Sequence, residues 1–195
     1  MPTCPGCQVE LDVFDDHLLC CPRNNFSLRH CAMQEALASV LQGCGQPFSK
    51  EVQFPSGPHP NLRPADLLLP SWCASLPTAV DLTISHGAQV SEDAASLERR
   101  RGFLRRREKM KHDKYDVVCQ AESWAFIPMA FGTWGGLGSE CAKFMSRILR
   151  RGALSQTPAV DDTAVDGYAE DLRQQVGLAL MRHVWRMLAT RNYVQ

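Results

Sequence analysis

The residues near the N-terminus with the clearest chemistry are a set of cysteines and one histidine. Cys4 and Cys7 form a Cys-x2-Cys pair, and His17 and Cys21 form a His-x3-Cys pair a short distance along the chain. Three thiolates and one imidazole are the ligand set of a closed tetrahedral zinc site, which stabilises a segment that has little core of its own. The spacing therefore predicts a structural zinc knuckle.

Alternatives stay open for these ligands. Cys20 stands beside Cys21 and could replace it, and His30 could compete with His17. His30 falls in the first turn of the next predicted helix, so a helix residue or a phosphate contact is its first interpretation. Incidental cysteines beside a surface histidine would be the non-functional interpretation of the whole set.

Two acids interrupt apolar stretches that are predicted to be strands. Asp66 lies within residues 65–69 and Asp81 within residues 78–85. An acid inside an apolar strand is costly unless it is solvated or bound to a cation. Two carboxylates on neighbouring strands can share one Mg²⁺, which polarises a phosphate and lowers the pKa of an attacking water. The alternative is a pair of strand-end acids that face water.

A strongly basic stretch follows these strands. Residues 99–114 carry nine lysines or arginines against two acids, within a long polar helix predicted at 92–114. Such a helix predicts salt-dependent binding to a phosphate backbone, without a base-contact code. A solvated basic face is the alternative. The basic residues are Arg99, Arg100, Arg101, Arg105, Arg106, Arg107, Lys109, Lys111 and Lys114.

The predicted elements that position these residues give an α/β (α+β) class, with a central mixed sheet flanked by helices. Residues 46–64 are predicted to be a loop or an edge hairpin. Helices are predicted at 27–44, 92–114, 139–151 and 163–190, and strands at 65–69, 78–85, 116–119 and 124–131. The predicted domains are a zinc knuckle (1–26), a restriction-endonuclease-like domain (27–152), and a linker with a C-terminal amphipathic helix (153–195).

The totals exclude several classes of protein. The chain has 195 residues, of which 45% are hydrophobic, which suits one domain plus a small appendage and makes general disorder unfavourable. Nine cysteines without a leader sequence argue against a secreted disulfide framework and for an intracellular protein with reduced thiols. No run approaches the roughly 18 apolar residues that a membrane span needs, so no membrane partner is expected.

Several motifs in this order resemble the C-terminal region of reverse transcriptases from site-specific non-LTR retrotransposons. That region carries a Cys-Cys-His-Cys knuckle, an Arg-His element and a restriction-like endonuclease of the PD-(D/E)xK type. The resemblance covers about residues 4–140, and without the polymerase part it implies a detached fragment or a domesticated remnant. The matching stretches are 17–30 (HLLCCPRNNFSLRH), 63–69 (RPADLLL), 79–84 (AVDLTI), 111–115 (KHDKY) and 126–129 (FIPM) with the following glycine-rich turn.

The resemblance also assigns roles to residues. It implies that Asp66 and Asp81 bind a catalytic Mg²⁺, with Glu35 as an extra ligand. The family pattern has a lysine two residues after the second acid, where this chain has Thr83. Some members of the wider superfamily carry that lysine on the following helix. This implies Lys111, with Lys114 second, as the catalytic or phosphate-bridging group. The predicted nucleic-acid contacts are Arg29 and His30 of the Arg-His element, together with Arg105, Arg106 and Arg107 of the basic helix.

Three functions follow from these observations. The first is a Mg²⁺-dependent DNA endonuclease domain of retroelement origin, located in the nucleus, with DNA and potentially RNA as its partners. The second is a decayed copy that binds nucleic acid without cutting it, which Thr83 favours. The third is a zinc-stabilised protein-interaction domain in which the basic helix is ordinary solvated surface.

Overall fold

The structure is a computed structural model. It describes residues 3–4, 7–11, 17, 21, 23, 26–53, 63–73, 75–87, 94–133, 135–156 and 174. Three helices and four strands within these residues give the α+β class that the sequence predicts. In chain order they are α1 (Phe26–Gly43), β1 (Ser49–Val52), β2 (Ala65–Cys73), β3 (Leu76–Ser85), α2 (Ala94–Ala121), β4 (Ala125–Gly132) and α3 (Ser139–Gln156).

The four strands form one mixed sheet in the order β1-β2-β3-β4. The first three strands are an antiparallel meander, and β4 runs parallel to β3. A parallel neighbour needs a crossover connection, which α2 provides between β3 and β4. The β2–β3 register pairs Leu67 with Val80 and Leu68 with Ala79. Continuing this register by one pair brings Asp66 opposite Asp81, where side chains on one face are neighbours.

Helices cover both faces of the sheet. The larger core joins α1 and α3 to one face through Leu37, Leu41, Phe144 and Ile148, among others, which pack around inward residues of β2, β3 and β4. On the other face, α2 packs through Tyr115 and Cys119 in a smaller cluster. Alternation along β3 explains the division, because Val80 and Leu82 belong to the larger cluster and Ala79 to the smaller one.

The prediction of a strand at 116–119 is wrong, because α2 continues to Ala121. The two valines of this short apolar run favour a strand locally. In the helix, Tyr115 and Cys119 are four residues apart and both are buried, while Val117 is 78% exposed. That burial pattern has a helical period, and packing on the sheet decides the outcome.

Other predicted boundaries shift by a few residues. The strand predicted at 65–69 extends to Cys73, with an irregular register around the exposed Pro70. Proline has no N–H to donate to a neighbouring strand, so it is tolerated where the strand pairing is irregular. Part of the predicted loop at 46–64 is the edge strand β1. The linker after α3 and the helix predicted at 163–190 lie outside the described residues, apart from the helical Gln174.

A buried acid of α2 holds the start of α3. Glu108 is 2% exposed. Its Oε1 accepts a hydrogen bond from the Glu140 N–H at 2.8 Å, and its Oε2 accepts one from the Ser139 hydroxyl at 2.9 Å. The first N–H groups of a helix have no partner within the helix, so a carboxylate there is stabilising. A Cβ at Gly138 would overlap the Glu108 carboxylate, so glycine is required for this close approach.

Candidate metal centre and acid–lysine cluster

The N-terminal segment brings together the four residues that the sequence predicts as zinc ligands. One ligand atom from each of Cys4, Cys7, His17 and Cys21 lies within 4.8 Å of all the others. The Cys7 Sγ is 2.9 Å from the His17 Nε2. In a tetrahedral zinc site with bonds of about 2.0–2.3 Å, ligand atoms lie about 3–4 Å apart. The cluster could therefore hold a metal ion such as zinc.

A tight backbone turn presents the first cysteine pair. The Cys4 N–H donates to the Val9 carbonyl and the Gln8 N–H donates to the Cys4 carbonyl, both at 2.7 Å. Gln8 has a φ of 65°, a left-handed value that closes the turn, and an antiparallel bridge joins Thr3 to Glu10. These contacts form a small knuckle with Cys4 on one side and Cys7 on the other.

The surroundings of the cluster suit a cation. Cys4 and Cys21 have no solvent exposure. Burial, together with the neighbouring Cys4 and Cys7 thiols, raises the pKa of Cys21. A bound divalent ion reverses this preference, because a coordinating thiol is deprotonated. Of the open alternatives, Cys20 lies outside the described residues, and His30 points to another site.

That second site forms where β2, β3 and α2 meet. Asp81 of β3 is 5% exposed, and the Lys111 Nζ of α2 lies 2.7 Å from its Oδ2. No donor in the described part of the chain reaches this oxygen with hydrogen-bond geometry, so the Lys111 contact is an ion pair. Lys111 lies one helical turn from the buried Glu108 and Tyr115, on the face of α2 directed at the sheet.

Asp66 joins this site from β2. Its Oδ2 accepts a hydrogen bond from the Leu82 N–H at 2.6 Å and lies 3.1 Å from the His30 Nε2. The Gln34 side-chain amide donates to the Asp66 carbonyl at 2.8 Å, which ties α1 to the same residue. The chain therefore brings Asp66, Asp81, Lys111 and His30 into one group, called here the acid–lysine cluster.

The electrostatics of this cluster differ from those of an exposed acid pair. Burial raises the pKa of Asp81 to about 6, although the Lys111 ammonium opposes the shift. The negative charge of Asp66 adds to the increase. His30 has a raised pKa, chiefly because of its hydrogen bond to Asp66. The Asp81 carboxylate is thus held charged at neutral pH against a desolvation cost, a pattern found at functional sites.

The other predicted site residues lie elsewhere. The Lys114 Nζ is 4.6 Å from the centre of the Tyr115 ring, and Lys114 is exposed, so it is more peripheral than Lys111. Glu35 forms a 2.6 Å ion pair with Lys50 of β1. Among the described residues, the three acids predicted to bind Mg²⁺ do not form a group with metal-ligand spacing. Glu35 is therefore withdrawn as a ligand.

The predicted nucleic-acid contacts divide into buried and exposed residues. Arg29 is 4% exposed and makes interactions within the protein. A buried guanidinium does not reach a phosphate, so the predicted phosphate contact of Arg29 does not fit this structure. His30 is half-buried and engaged by Asp66 instead. Arg105, Arg106 and Arg107 are exposed on α2, as a phosphate contact requires.

A further histidine was missed by the sequence reasoning. His112 donates or accepts at both ring nitrogens, with Nδ1 2.8 Å from the Asp116 Oδ1 and Nε2 2.7 Å from the Glu140 Oε1. Burial disfavours the charged ring, but the two carboxylates outweigh it and raise the pKa of His112. Only the i,i+4 spacing to Asp116 could have signalled this contact, because Glu140 comes from α3.

Comparison with known proteins gives no support from relatives. No protein-family model matches the chain, and no curated protein matches it. Among the described residues, none of the helices combines the length and the apolar character needed to cross a membrane. The function must therefore be argued from the geometry of the two clusters.

Proposed function

We propose that the chain is a Mg²⁺-dependent DNA endonuclease domain with the acid–lysine cluster as its cutting centre. The observation that carries this proposal is the meeting of Asp66, Asp81 and Lys111, which come from three different elements. Two acids on adjacent strands beside one ammonium are suited to phosphodiester hydrolysis. The mixed sheet, with its antiparallel meander and one parallel strand, is compatible with a restriction-like fold of retroelement origin.

In this proposal each residue has a separate task. Asp66 and Asp81 would hold Mg²⁺, which when bound polarises the phosphate and lowers the pKa of an attacking water. Because the pKa of Asp81 is about 6, its carboxylate is available for a cation at neutral pH and increasingly protonated below that value. Lys111 is placed to leave Asp81 for the phosphate and stabilise its developing negative charge.

Binding of the substrate is assigned to α2. Arg105, Arg106 and Arg107 are exposed on the helix that also supplies Lys111. Guanidinium groups suit phosphate oxygens and give affinity that falls as salt rises. DNA is therefore the proposed partner, with RNA as a second substrate class, and a nuclear location is part of the same proposal.

A non-catalytic nucleic-acid-binding module is the second candidate. Thr83 is half-buried on β3 where the family pattern has its lysine. The Asp81 carboxylate is already neutralised by Lys111 at 2.7 Å, and one oxygen of Asp66 is engaged by the Leu82 N–H and His30. These contacts would partly neutralise the acids without any metal, as in a copy that has lost activity.

Nicking of supercoiled plasmid with Mg²⁺ or Mn²⁺ tests the proposal. We expect Asp66→Asn and Asp81→Asn to abolish nicking, and Lys111→Met to lower it by about 100-fold, the usual effect of losing one charge-stabilising group. Lys111→Arg keeps the cation and should retain part of the rate. Lys109→Met is the matched control, because Lys109 is exposed on the same helix and paired with Asp113 at 2.9 Å.

Three outcomes overturn the endonuclease proposal. If either acid variant nicks as fast as the parent, the cluster is not the cutting centre. If the parent binds DNA but does not nick it, the non-catalytic module is correct. If binding is absent and retention on a phosphate-rich column does not respond to salt, the third function, a zinc-stabilised interaction domain, is correct.

A further inference from the structure

The outer face of α3 is a second basic surface, separate from α2. Lys143, Arg147, Arg150 and Arg151 are all exposed, and their spacing of four, three and one residues places them on one side of the helix. The opposite side is fully buried in the larger core, including Phe144 and Ile148. This surface, called here the α3 basic face, was not identified from the sequence.

A pocket lies beside the C-terminal half of the α3 basic face. It has a volume of about 290 Å³ and is lined by Trp72, Arg147, Arg150 and Arg151. The Arg151 guanidinium carbon is 4.2 Å from the centre of the Trp72 ring. Trp72 itself is held in the core by Phe144, with ring centres 5.0 Å apart. The Trp72 ring thus packs against the Arg151 guanidinium and holds it near Arg147 and Arg150.

Among the described residues, Lys143, Arg147 and Arg151 of this face have no acidic partner within ion-pair distance. The one acid of α3, Glu140, is engaged by His112 at 2.7 Å near the start of the helix. Arg147 and Arg151 both line this concavity and their like charges repel one another, so the arrangement favours a bound anion.

We infer that the α3 basic face is a second nucleic-acid-binding surface, with the Trp72 pocket holding one phosphate of the backbone. Planar guanidinium groups bind phosphate oxygens through paired hydrogen bonds, and the buried Trp72 ring positions the Arg151 guanidinium for such a contact. The α3 and α2 helices lie on opposite faces of the sheet, so this surface is distinct from the one that carries Arg105, Arg106 and Arg107.

The test measures binding of labelled single-stranded and duplex oligonucleotides to the full chain across a salt series, without added Mg²⁺. Arg147→Gln with Arg151→Gln should weaken binding by at least about tenfold at low salt. The slope of log affinity against log salt should fall by about 1.4 for a single strand or 1.8 for a duplex, as two phosphate contacts predict. Cleavage is not needed for this result, so it stands or falls separately from the endonuclease proposal.

Two further variants control for folding and for charge. Arg147→Gln alone leaves the Arg151–Trp72 contact intact and should lower the slope by about half as much. The single replacement Lys50→Gln, compared with Arg147→Gln, removes the same charge from a lysine that is already paired with Glu35. It should bind within about twofold of the parent, because exposed paired lysines release few counterions.

An unchanged affinity and slope in the arginine variants would overturn the inference. The competing occupant is the acidic stretch at residues 161–171 of this chain, which carries Asp161, Asp162, Asp166, Glu170 and Asp171. If the arginine replacements weaken binding only after Asp161, Asp162 and Asp166 are changed to Asn, that stretch occupies the face in the parent, and the inference is likewise wrong.

Discussion

Both clusters bring ionisable side chains together, but they arrange them in opposite ways. In the knuckle, Cys4, Cys7, His17 and Cys21 converge on one another and leave a common centre for an ion. In the acid–lysine cluster, Asp81 faces Lys111, and Asp66 faces His30 and a backbone N–H. The first arrangement could hold a metal ion, which would stabilise the knuckle when bound. In the second, Lys111 and His30 already contact the two acids, so a metal or substrate must compete with existing contacts.

Replacing a knuckle ligand should give the largest effect. We expect Cys7→Ser to reduce bound zinc from one ion per chain to nearly none and to remove hydrogen-exchange protection from residues 3–11. Structural zinc binds with about 10–16 kcal/mol in small knuckles, and a segment with little core folds on that energy. Elemental analysis and hydrogen exchange measure the two effects.

The matched control is Cys31→Ser, because Cys31 is exposed on α1 and outside the cluster. It should keep its zinc and its protection. Full zinc occupancy in Cys7→Ser would show that this cysteine is not a ligand, and the contrast between the two clusters would then lose its basis.

Replacing Asp81 in the acid–lysine cluster should stabilise the protein, whereas replacing a knuckle ligand should destabilise the knuckle. We expect Asp81→Asn to raise the free energy of unfolding at pH 8 by on the order of 1 kcal/mol, because it removes the desolvation cost of a buried carboxylate. Lys111 is 26% exposed, so its ammonium can turn to water when its partner is lost. Chemical denaturation of the parent and the variant measures this difference.

The pH dependence of that difference follows from the direction of the shift. The folded pKa of Asp81 is about 6 and its ordinary value is 3.8, so the folded state binds the proton more tightly than the unfolded state. The parent therefore loses stability relative to Asp81→Asn as pH rises from about 4 to about 6. A variant that is less stable than the parent at pH 8 would mean that the Lys111 pair outweighs the burial cost.

Replacing His30 should have the smallest effect on stability. His30 is the histidine of the acid–lysine cluster, as His17 is the histidine of the knuckle. Its pKa is raised by Asp66, so its stabilising contribution is fully present below the ordinary pKa of 6.5 and is lost as pH rises through the folded value. We expect His30→Gln to lower the free energy of unfolding by roughly 0.5 kcal/mol at pH 5.5 and by less at pH 9, since the pair is partly exposed. Equal losses at both pH values would show that His30 contributes only packing.

Sequence reasoning was most successful where the relevant residues are close in the chain. The knuckle depends on two short spacings, and the convergence of Cys4, Cys7, His17 and Cys21 follows from them. The acid–lysine cluster depends on a cross-strand register and on the rotation of α2, and only the family resemblance related Asp66 and Asp81 to Lys111. Its catalytic role stays a prediction.

The failures have a common physical cause. The strand predicted at 116–119 rested on local propensity, which packing on the sheet overrode. The burial of Arg29 and the contact of His30 with Asp66 depend on how α1 lies against β2. The basic pattern of residues 99–114 gives no sign that Glu108 of α2 is buried against the start of α3. Tertiary contacts of this kind leave little signal in a single sequence.

The hydrogen bonds of Glu108 have a consequence for Lys111, three residues further along α2. A helix clamped at one buried position cannot rotate about its axis without breaking those bonds, so the direction of the Lys111 side chain is set by a contact to another helix. Loss of these hydrogen bonds would remove one constraint on the rotation of α2, which also packs on the sheet through Tyr115 and Cys119. The direction of the Lys111 side chain toward Asp81 therefore depends on the contact between Glu108 and the start of α3.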